Sequence, residues 1–366
     1  MSLMNTRIKS PVLVRILIPF SVIISLLTSC KPRTAILKEK WEKNPCAKIA
    51  YWGEKWKKTP LGERIKEAPA ELIKKIHIEN EFEGFKERPS PVKPPPELFE
   101  VMRSIQASMP GNLEAILYER FIGLFAVREL GGTGYAEAIY DREGNEKYGL
   151  IVLDVDVLMK KKANEWATWK ENSFFRPKAD GKVKLKAVIE EEDDTVVNAV
   201  RYIMLHEMGH ILGMISKAHS SWIDWFAKKK ISMDYPFQIL SWKLTIDSQV
   251  ISLFDDKFPE RKSIRVYSFE KAELTNEQIP VTFDRLQKHT NFPTLHAGQS
   301  LWEDFAESFA TYFHVVIDKR PWEITIEQED QPDIVVESCW EQERCKRKKE
   351  YMKRWFEDPL AVCGSW

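Results

Sequence analysis

Hydrophobic and polar positions change period along the chain. Apolar residues first recur every three or four positions, then alternate with polar ones, and then recur every three or four again. The first two patterns predict helices over residues 97–109 and 112–127, and strands over residues 135–140, 149–158 and 183–189. A long helix is predicted from N-capping residues at 193–195 to about Ile215. Strands followed by a long helix are typical of an α+β domain.

The first thirty residues have the pattern of an export signal. Three basic residues precede a short apolar run over 16–28, which is shorter than the roughly 20 residues of a membrane-spanning helix. The run ends in Leu-Thr-Ser-Cys30, which resembles the lipobox of bacterial lipoproteins. The resemblance implies that residues 1–29 are a cleaved signal peptide and that Cys30 is acylated. The protein is then expected in the cell envelope, anchored to a membrane by its N-terminal lipid, in the periplasm or at the cell surface.

A proline-rich stretch divides the rest of the chain. Five prolines fall within residues 88–96, where they are incompatible with a helix interior or a central strand. Such a composition predicts a stiff, extended linker. The expected organisation is an N-terminal helical segment with its linker over residues 30–97 and a main domain over residues 98–366.

Composition and charge narrow the classes of function. The 366 residues include 55 basic and 55 acidic side chains, and 43% are hydrophobic, which is ample for a packed core. The net charge of zero argues against a nucleic-acid partner, because such proteins normally carry a basic excess. The glycines within 131–134 lack the lysine and the spacing of a phosphate-binding loop, so they predict a turn.

The cysteines are expected to form structural disulfide bonds. With Cys30 lipidated, an even number remains in an oxidising compartment, which suggests two disulfides with three possible pairings. The four cysteines are Cys46, Cys339, Cys345 and Cys363.

The long helix contains the motif H-E-x-x-H. His206 and His210 are four residues apart, so one helix face presents both imidazoles. Imidazole nitrogen is a preferred ligand of zinc. Glu207 follows the first histidine, from where it could take a proton from a water at the zinc.

A second acidic motif lies about a hundred residues downstream. Catalytic zinc usually has three protein ligands, so one is missing from the first motif. In Leu301-Trp-Glu-Asp-Phe-Ala-Glu-Ser-Phe-Ala310, Glu303 and Glu307 are four apart and share a helix face. Either carboxylate could reach the metal from a neighbouring helix, and the other could accept a hydrogen bond from a ligating imidazole.

The two motifs together resemble the gluzincin branch of the zincin metallopeptidases, and most closely the lethal-factor-like catalytic domains and bacterial zinc-peptidase lipoproteins. The resemblance covers about residues 202–314. It implies a small twisted sheet, a zinc ion bound by His206, His210 and Glu303, and a supporting role for Glu307. Glu307-Ser-Phe-Ala also fits the second motif, so the choice of third ligand stays open. The implied activity is hydrolysis of peptide bonds, with Glu207 as the general base.

One position departs from this family. Lethal-factor-like domains have a tyrosine seven residues before the ligand glutamate, where this chain has His296. An imidazole there could donate to the oxyanion of the tetrahedral intermediate. The alternative is a loop histidine without a catalytic role.

Three other functions stay open. A metzincin would have a third histidine where this chain has Ser216, and using His219 instead would require a three-residue insertion. A non-catalytic lipoprotein could use zinc for stability alone. A cell-wall hydrolase could use the same site on peptidoglycan.

Overall fold

The computed structural model describes residues 33–178, 181–221, 232–247 and 249–361. The predicted signal peptide, Cys30 and Cys363 lie outside these ranges. Within them, every helix is either too short or too polar to cross a membrane.

The central sheet is organised around a strand that is buried on both faces. It has the strand order β1-β3-β5-β4, and β2 pairs with the C-terminal end of β3. β3 runs parallel to β1 and β5, whereas β4 is antiparallel to β5 and forms an edge of the sheet. The strands of this sheet are β1 (Ile65–Glu67), β2 (Ser90–Pro91), β3 (Phe121–Arg128), β4 (Gly134–Tyr140) and β5 (Glu146–Asp154).

Smaller sheets lie outside this centre. β7 pairs with β11, which also pairs with β12, in an antiparallel three-stranded sheet; β6 pairs with β10 and β8 with β9. Their strands are β6 (Phe175–Arg176), β7 (Val183–Val188), β8 (Trp242–Leu244), β9 (Val250–Ser252), β10 (Leu274–Thr275), β11 (Glu323–Gln328) and β12 (Gln331–Glu337). The predicted α+β class with small sheets is therefore confirmed.

Helices cover both faces of the central sheet. They are α1 (Arg33–Lys43), α2 (Ile49–Trp52), α3 (Ala70–Glu83), α4 (Pro96–Ser108), α5 (Gly111–Arg120), α6 (Val155–Leu158), α7 (Ala163–Asn172), α8 (Val196–Ile215), α9 (Ile279–His289), α10 (Leu301–Tyr312) and α11 (Lys346–Glu357). The longest, α8, begins where the Thr195 hydroxyl accepts a hydrogen bond from the Asn198 amide.

The helix α8 packs closely against α10. At their crossing, a Cβ atom on Gly209 would lie only 2.9 Å from Ala306 Cα, so glycine is what permits this approach. α10 begins at the cap Ser300, whose hydroxyl accepts a hydrogen bond from the Glu303 amide. The two motif helices are thus held side by side.

One predicted helix proved to be a helix followed by a strand. Residues 112–127 were expected to be helical throughout, but α5 ends at Arg120 and β3 begins at Phe121. In β3, Leu124 and Ala126 face the core under α8, while Phe125 and Val127 face the opposite core. A strand buried on both faces is apolar at every position, so the hydrophobic period could not distinguish it from a helix.

The predicted N-terminal segment contributes to the central sheet. β1 pairs with β3, and Leu72 and Ile76 of α3 pack in the core on the face opposite α8. The proline-rich stretch also lies along the sheet, because Ser90 and Pro91 pair with the end of β3. The stretch therefore contributes a short strand to the central sheet.

The C-terminal helix supports α10. Lys348 of α11 donates to Asp304 Oδ1 over 2.5 Å, and both side chains are fully buried. A disulfide joins Cys339 to Cys345 just before α11, which is one of the pairings that the sequence left open. Cys46 is buried as a free thiol in the other core.

Candidate metal centre

The two motif histidines lie one turn apart on α8 and their rings converge. The Nε2 atoms of His206 and His210 are 3.1 Å apart, with the rings nearly perpendicular. The spacing of four residues predicted this shared face. Both rings open onto a cleft that runs between α8, α10 and the edge strand β4.

Glu303 on α10 completes a triangle of donor atoms with these imidazoles. Its Oε2 atom is 3.2 Å from His206 Nε2 and 3.5 Å from His210 Nε2. Ligands of a tetrahedral zinc ion with bonds of 2.0–2.1 Å are about 3.3 Å apart, so the three separations suit one ion. Glu303 Oε2 is buried and has no hydrogen-bond partner of normal geometry among the described residues. A buried oxygen in this state fits a metal ligand.

His296 belongs to the same cluster. Its Nε2 is 3.2 Å from Glu303 Oε2, and its ring stacks on that of His206 at 5.0 Å with an angle of 10°. His206, His296 and Glu303 form a group that could bind a metal ion. The sequence offered His296 only as an oxyanion donor, because no ligand spacing connects a loop histidine to H-E-x-x-H.

Glu307 contacts the opposite edges of the imidazoles. Its Oε1 is 2.9 Å from His206 Nδ1 and 3.1 Å from His296 Nδ1. Thr294 donates to its Oε2 over 2.7 Å, and the carboxylate is fully buried. The two glutamates therefore occupy different places: Glu303 lies among the Nε2 atoms, and Glu307 lies behind the rings.

Lys170 is a site residue that the sequence did not reveal. It lies on α7, is almost fully buried, and donates to Glu307 Oε1 over 2.9 Å. Burial alone would lower the pKa of Lys170, but Glu307 and Glu171 outweigh it and the pKa is raised. Likewise Lys170 and the imidazoles overcome burial and hold the pKa of Glu307 well below its usual range. Nothing in the pattern around Lys170 marks it as a partner of α10.

Glu207 sits beside the cluster without joining it. The side chain is buried, and its Oε2 has no hydrogen-bond partner among the described residues. Burial raises the pKa of Glu207, although the neighbouring His206 and His210 act in the opposite direction. A carboxylate that is desolvated in this way becomes a better proton acceptor near neutral pH.

The cleft is large and one of its walls is a strand edge. Its volume is about 1790 Å³, and β4 lines it opposite the metal cluster. Tyr267 also faces it, with its hydroxyl 3.3 Å from Thr133 Oγ1 and its ring stacked on Trp169. The backbone of Tyr267 has a positive φ of 56°, which is uncommon for a residue other than glycine.

His219 lies nearby, but like His210 it is outside the group of His206, His296 and Glu303 that could bind a metal among the described residues. Its Nδ1 is 3.1 Å from the Ser220 carbonyl oxygen. Its Nε2 is directed at α8, since a Cβ atom on Gly213 would lie 2.7 Å from it. This placement does not favour the metzincin alternative.

Comparison of the chain with protein-family models, with curated proteins and with solved structures found no match. The likeness to gluzincins therefore stands on the two motifs. The structure itself brings His206, His296 and Glu303 together in a group that could bind a metal ion.

Proposed function

We propose that this protein is a zinc-dependent peptidase. The observation that carries the proposal is the position of Glu303 Oε2, 3.2 and 3.5 Å from the Nε2 atoms of His206 and His210. The carboxylate and the imidazoles come from two helices that are far apart in the sequence. Among the described residues this buried oxygen has no hydrogen-bond partner of normal geometry.

Zinc suits this set of donors. Two or three imidazole nitrogens with one carboxylate oxygen match catalytic zinc sites, whereas magnesium and calcium prefer oxygen ligands alone. We assign His206, His210 and Glu303 as ligands and Glu307 as the residue that orients the imidazoles through Nδ1. When bound, zinc lowers the pKa of a water molecule and polarises a carbonyl group.

Glu207 is the general base in this proposal. Its buried carboxylate lies one residue from His206, so it accepts the proton of the attacking water and can deliver it to the leaving amine. Its raised pKa increases its affinity for a proton, as a general base near neutral pH requires. Its Oε2 atom makes no hydrogen bond to another group among the described residues.

An extended polypeptide is the substrate that this cleft fits best. β4 is an edge strand of the central sheet and lines the cleft, so an extended peptide could pair with its outer side. The cavity is also larger than the roughly 300–1,000 Å³ of typical small-molecule sites. We further propose, from the signal and lipobox patterns, that the protein is exported and tethered through Cys30.

The test is the variant Glu207→Gln in the full-length protein, purified in detergent. It should retain zinc at one equivalent while hydrolysis of unfolded protein and peptide libraries falls by at least about a thousandfold, because proton transfer and water orientation are both lost. Glu165→Gln, an exposed acid on α7, is the matched control and should keep full activity. Undiminished hydrolysis by Glu207→Gln would exclude the mechanism.

The same assay separates the alternatives. A protein that binds zinc but cleaves neither peptides nor peptidoglycan would be a non-catalytic lipoprotein. Release of muropeptides without cleavage of linear peptides would identify a cell-wall hydrolase.

A further inference from the structure

We propose that His296 is a fourth protein ligand of the metal in the resting protein, and that a substrate must displace it to reach the ion. This inference rests on the proposed zinc site. It replaces the oxyanion-donor role that the sequence suggested for this histidine.

The first support is the parallel arrangement of two imidazoles. His206 and His296 stack with an angle of 10° between their rings, and their Nδ1 atoms approach the same oxygen, Glu307 Oε1, at 2.9 and 3.1 Å. In an imidazole the two nitrogens lie on opposite sides of the ring. With Glu307 at the Nδ1 side of both rings, the Nε2 atoms of both rings lie toward Glu303.

The second support is the atom found in that region. Glu303 Oε2 is 3.2 Å from His206 Nε2 and 3.2 Å from His296 Nε2. The two Nε2 atoms are thus equally distant from Glu303 Oε2, although only the Nδ1 atom of His296 makes a hydrogen bond of normal geometry to Glu307. Since His206 is assigned as a ligand on this geometry, the same geometry assigns His296.

The hydrogen bonding at Nδ1 decides between ligand and donor. A carboxylate only accepts hydrogen bonds, so the Nδ1 atom of His296 must carry the proton that it shares with Glu307. In the neutral form, an imidazole that is protonated at Nδ1 presents a lone pair at Nε2, which can bind a metal but cannot donate to an oxyanion. Glu307 therefore fixes His296 in the tautomer of a ligand, as carboxylates do for zinc-bound histidines.

The consequence concerns access to the ion. Three histidines and Glu303 supply four protein ligands, whereas a catalytic zinc keeps one position open. His296 lies in the turn that precedes α10, outside the helix itself, and it faces the cleft. It can consequently leave the metal without unwinding α10, while His206 and His210 are fixed within α8.

The test counts the ligating histidines directly. In the full-length protein loaded with Co²⁺, each ligating imidazole gives a paramagnetically shifted proton signal from its Nδ1–H. We expect three such signals in the wild type, two in His296→Ala, and three in the control His289→Ala, which removes an exposed histidine. Two signals in the wild type and the same two in His296→Ala would overturn the proposal yet leave the proposed zinc site intact. The absence of any shifted signal would instead show that the proposed zinc site is wrong.

A second measurement addresses displacement. Acetohydroxamate, a small chelating probe, should bind to the Co²⁺-loaded His296→Ala protein at least about tenfold more tightly than to the wild type, because it no longer competes with the imidazole. His289→Ala should bind the probe like the wild type. Equal affinity in His296→Ala and the wild type would refute displacement.

Discussion

Removing Lys170 tests the charge balance beneath the candidate metal centre. Lys170→Met keeps the length of the side chain but leaves Glu307 buried without the cation that lies 2.9 Å from its Oε1. Breaking a buried ion pair in this way typically costs about 3–5 kcal/mol, since a charge stays buried without its partner. Thr294 and the two imidazoles still contact Glu307, so we expect the lower end, about 3 kcal/mol.

The assay is thermal unfolding of the metal-free protein in the presence of a chelator. One kcal/mol shifts the Tm of a larger domain by about 2–4 °C, so the Lys170→Met variant should melt about 6–12 °C lower than the wild type. Lys161→Met is the control, because Lys161 pairs with the exposed Glu165 and such pairs contribute about 0–1 kcal/mol.

A double variant identifies the cause of the loss. If Lys170 acts through Glu307, adding Glu307→Gln to Lys170→Met should cost less than the sum of the single changes, by about 2 kcal/mol. The reasoning is refuted if Lys170→Met melts as Lys161→Met does, or if the two changes at 170 and 307 are additive.

Two further predictions concern Glu171 and Cys30. Burial raises the pKa of Glu171 to about 7, so the folded protein binds more protons than the unfolded chain between about pH 4.5 and 7, and its stability falls as the pH rises through that window. Burial also raises the pKa of Glu137 to about 7, so Glu171→Gln should remove only the part of this fall that Glu171 contributes. Denaturant unfolding across the pH window measures the difference, and an equal fall in the variant and the wild type would contradict the expectation. For Cys30, the variant Cys30→Ser should lose incorporation of a labelled fatty acid and leave the membrane fraction, and persistent labelling would show that the lipid, if any, is attached elsewhere.

The sequence predicted those parts of the site that depend on helical spacing. His206 and His210 share a face because they are four apart on a strongly periodic helix, and Glu303 and Glu307 share one for the same reason. Helical spacing could not reveal His296 as a possible metal ligand, because a turn and not a helix positions it, and the sequence offered it only as an oxyanion donor.

The other contacts of the site depend on packing between elements that are distant in the sequence. Lys170 reaches Glu307 only because α7 lies against the motif helices, and no periodicity encodes that contact. The strand Phe121–Arg128 was hidden for a different reason, since its burial on both faces removes the alternation that identifies a strand.

The pair of glutamates on α10 explains how one helix can organise both sides of the imidazoles. Residues four apart are about one helical turn apart along the axis, roughly 5–6 Å, which exceeds the width of an imidazole ring. Glu303 can therefore meet the Nε2 atoms of His206 and His296 while Glu307 meets their Nδ1 atoms. The rings are held between the two carboxylates, so the roles follow from position along the helix. If Glu303 and Glu307 exchanged roles, both imidazole rings would have to turn over. Lys170 and Thr294 oppose this exchange, because their hydrogen bonds hold Glu307 at the Nδ1 side of the rings.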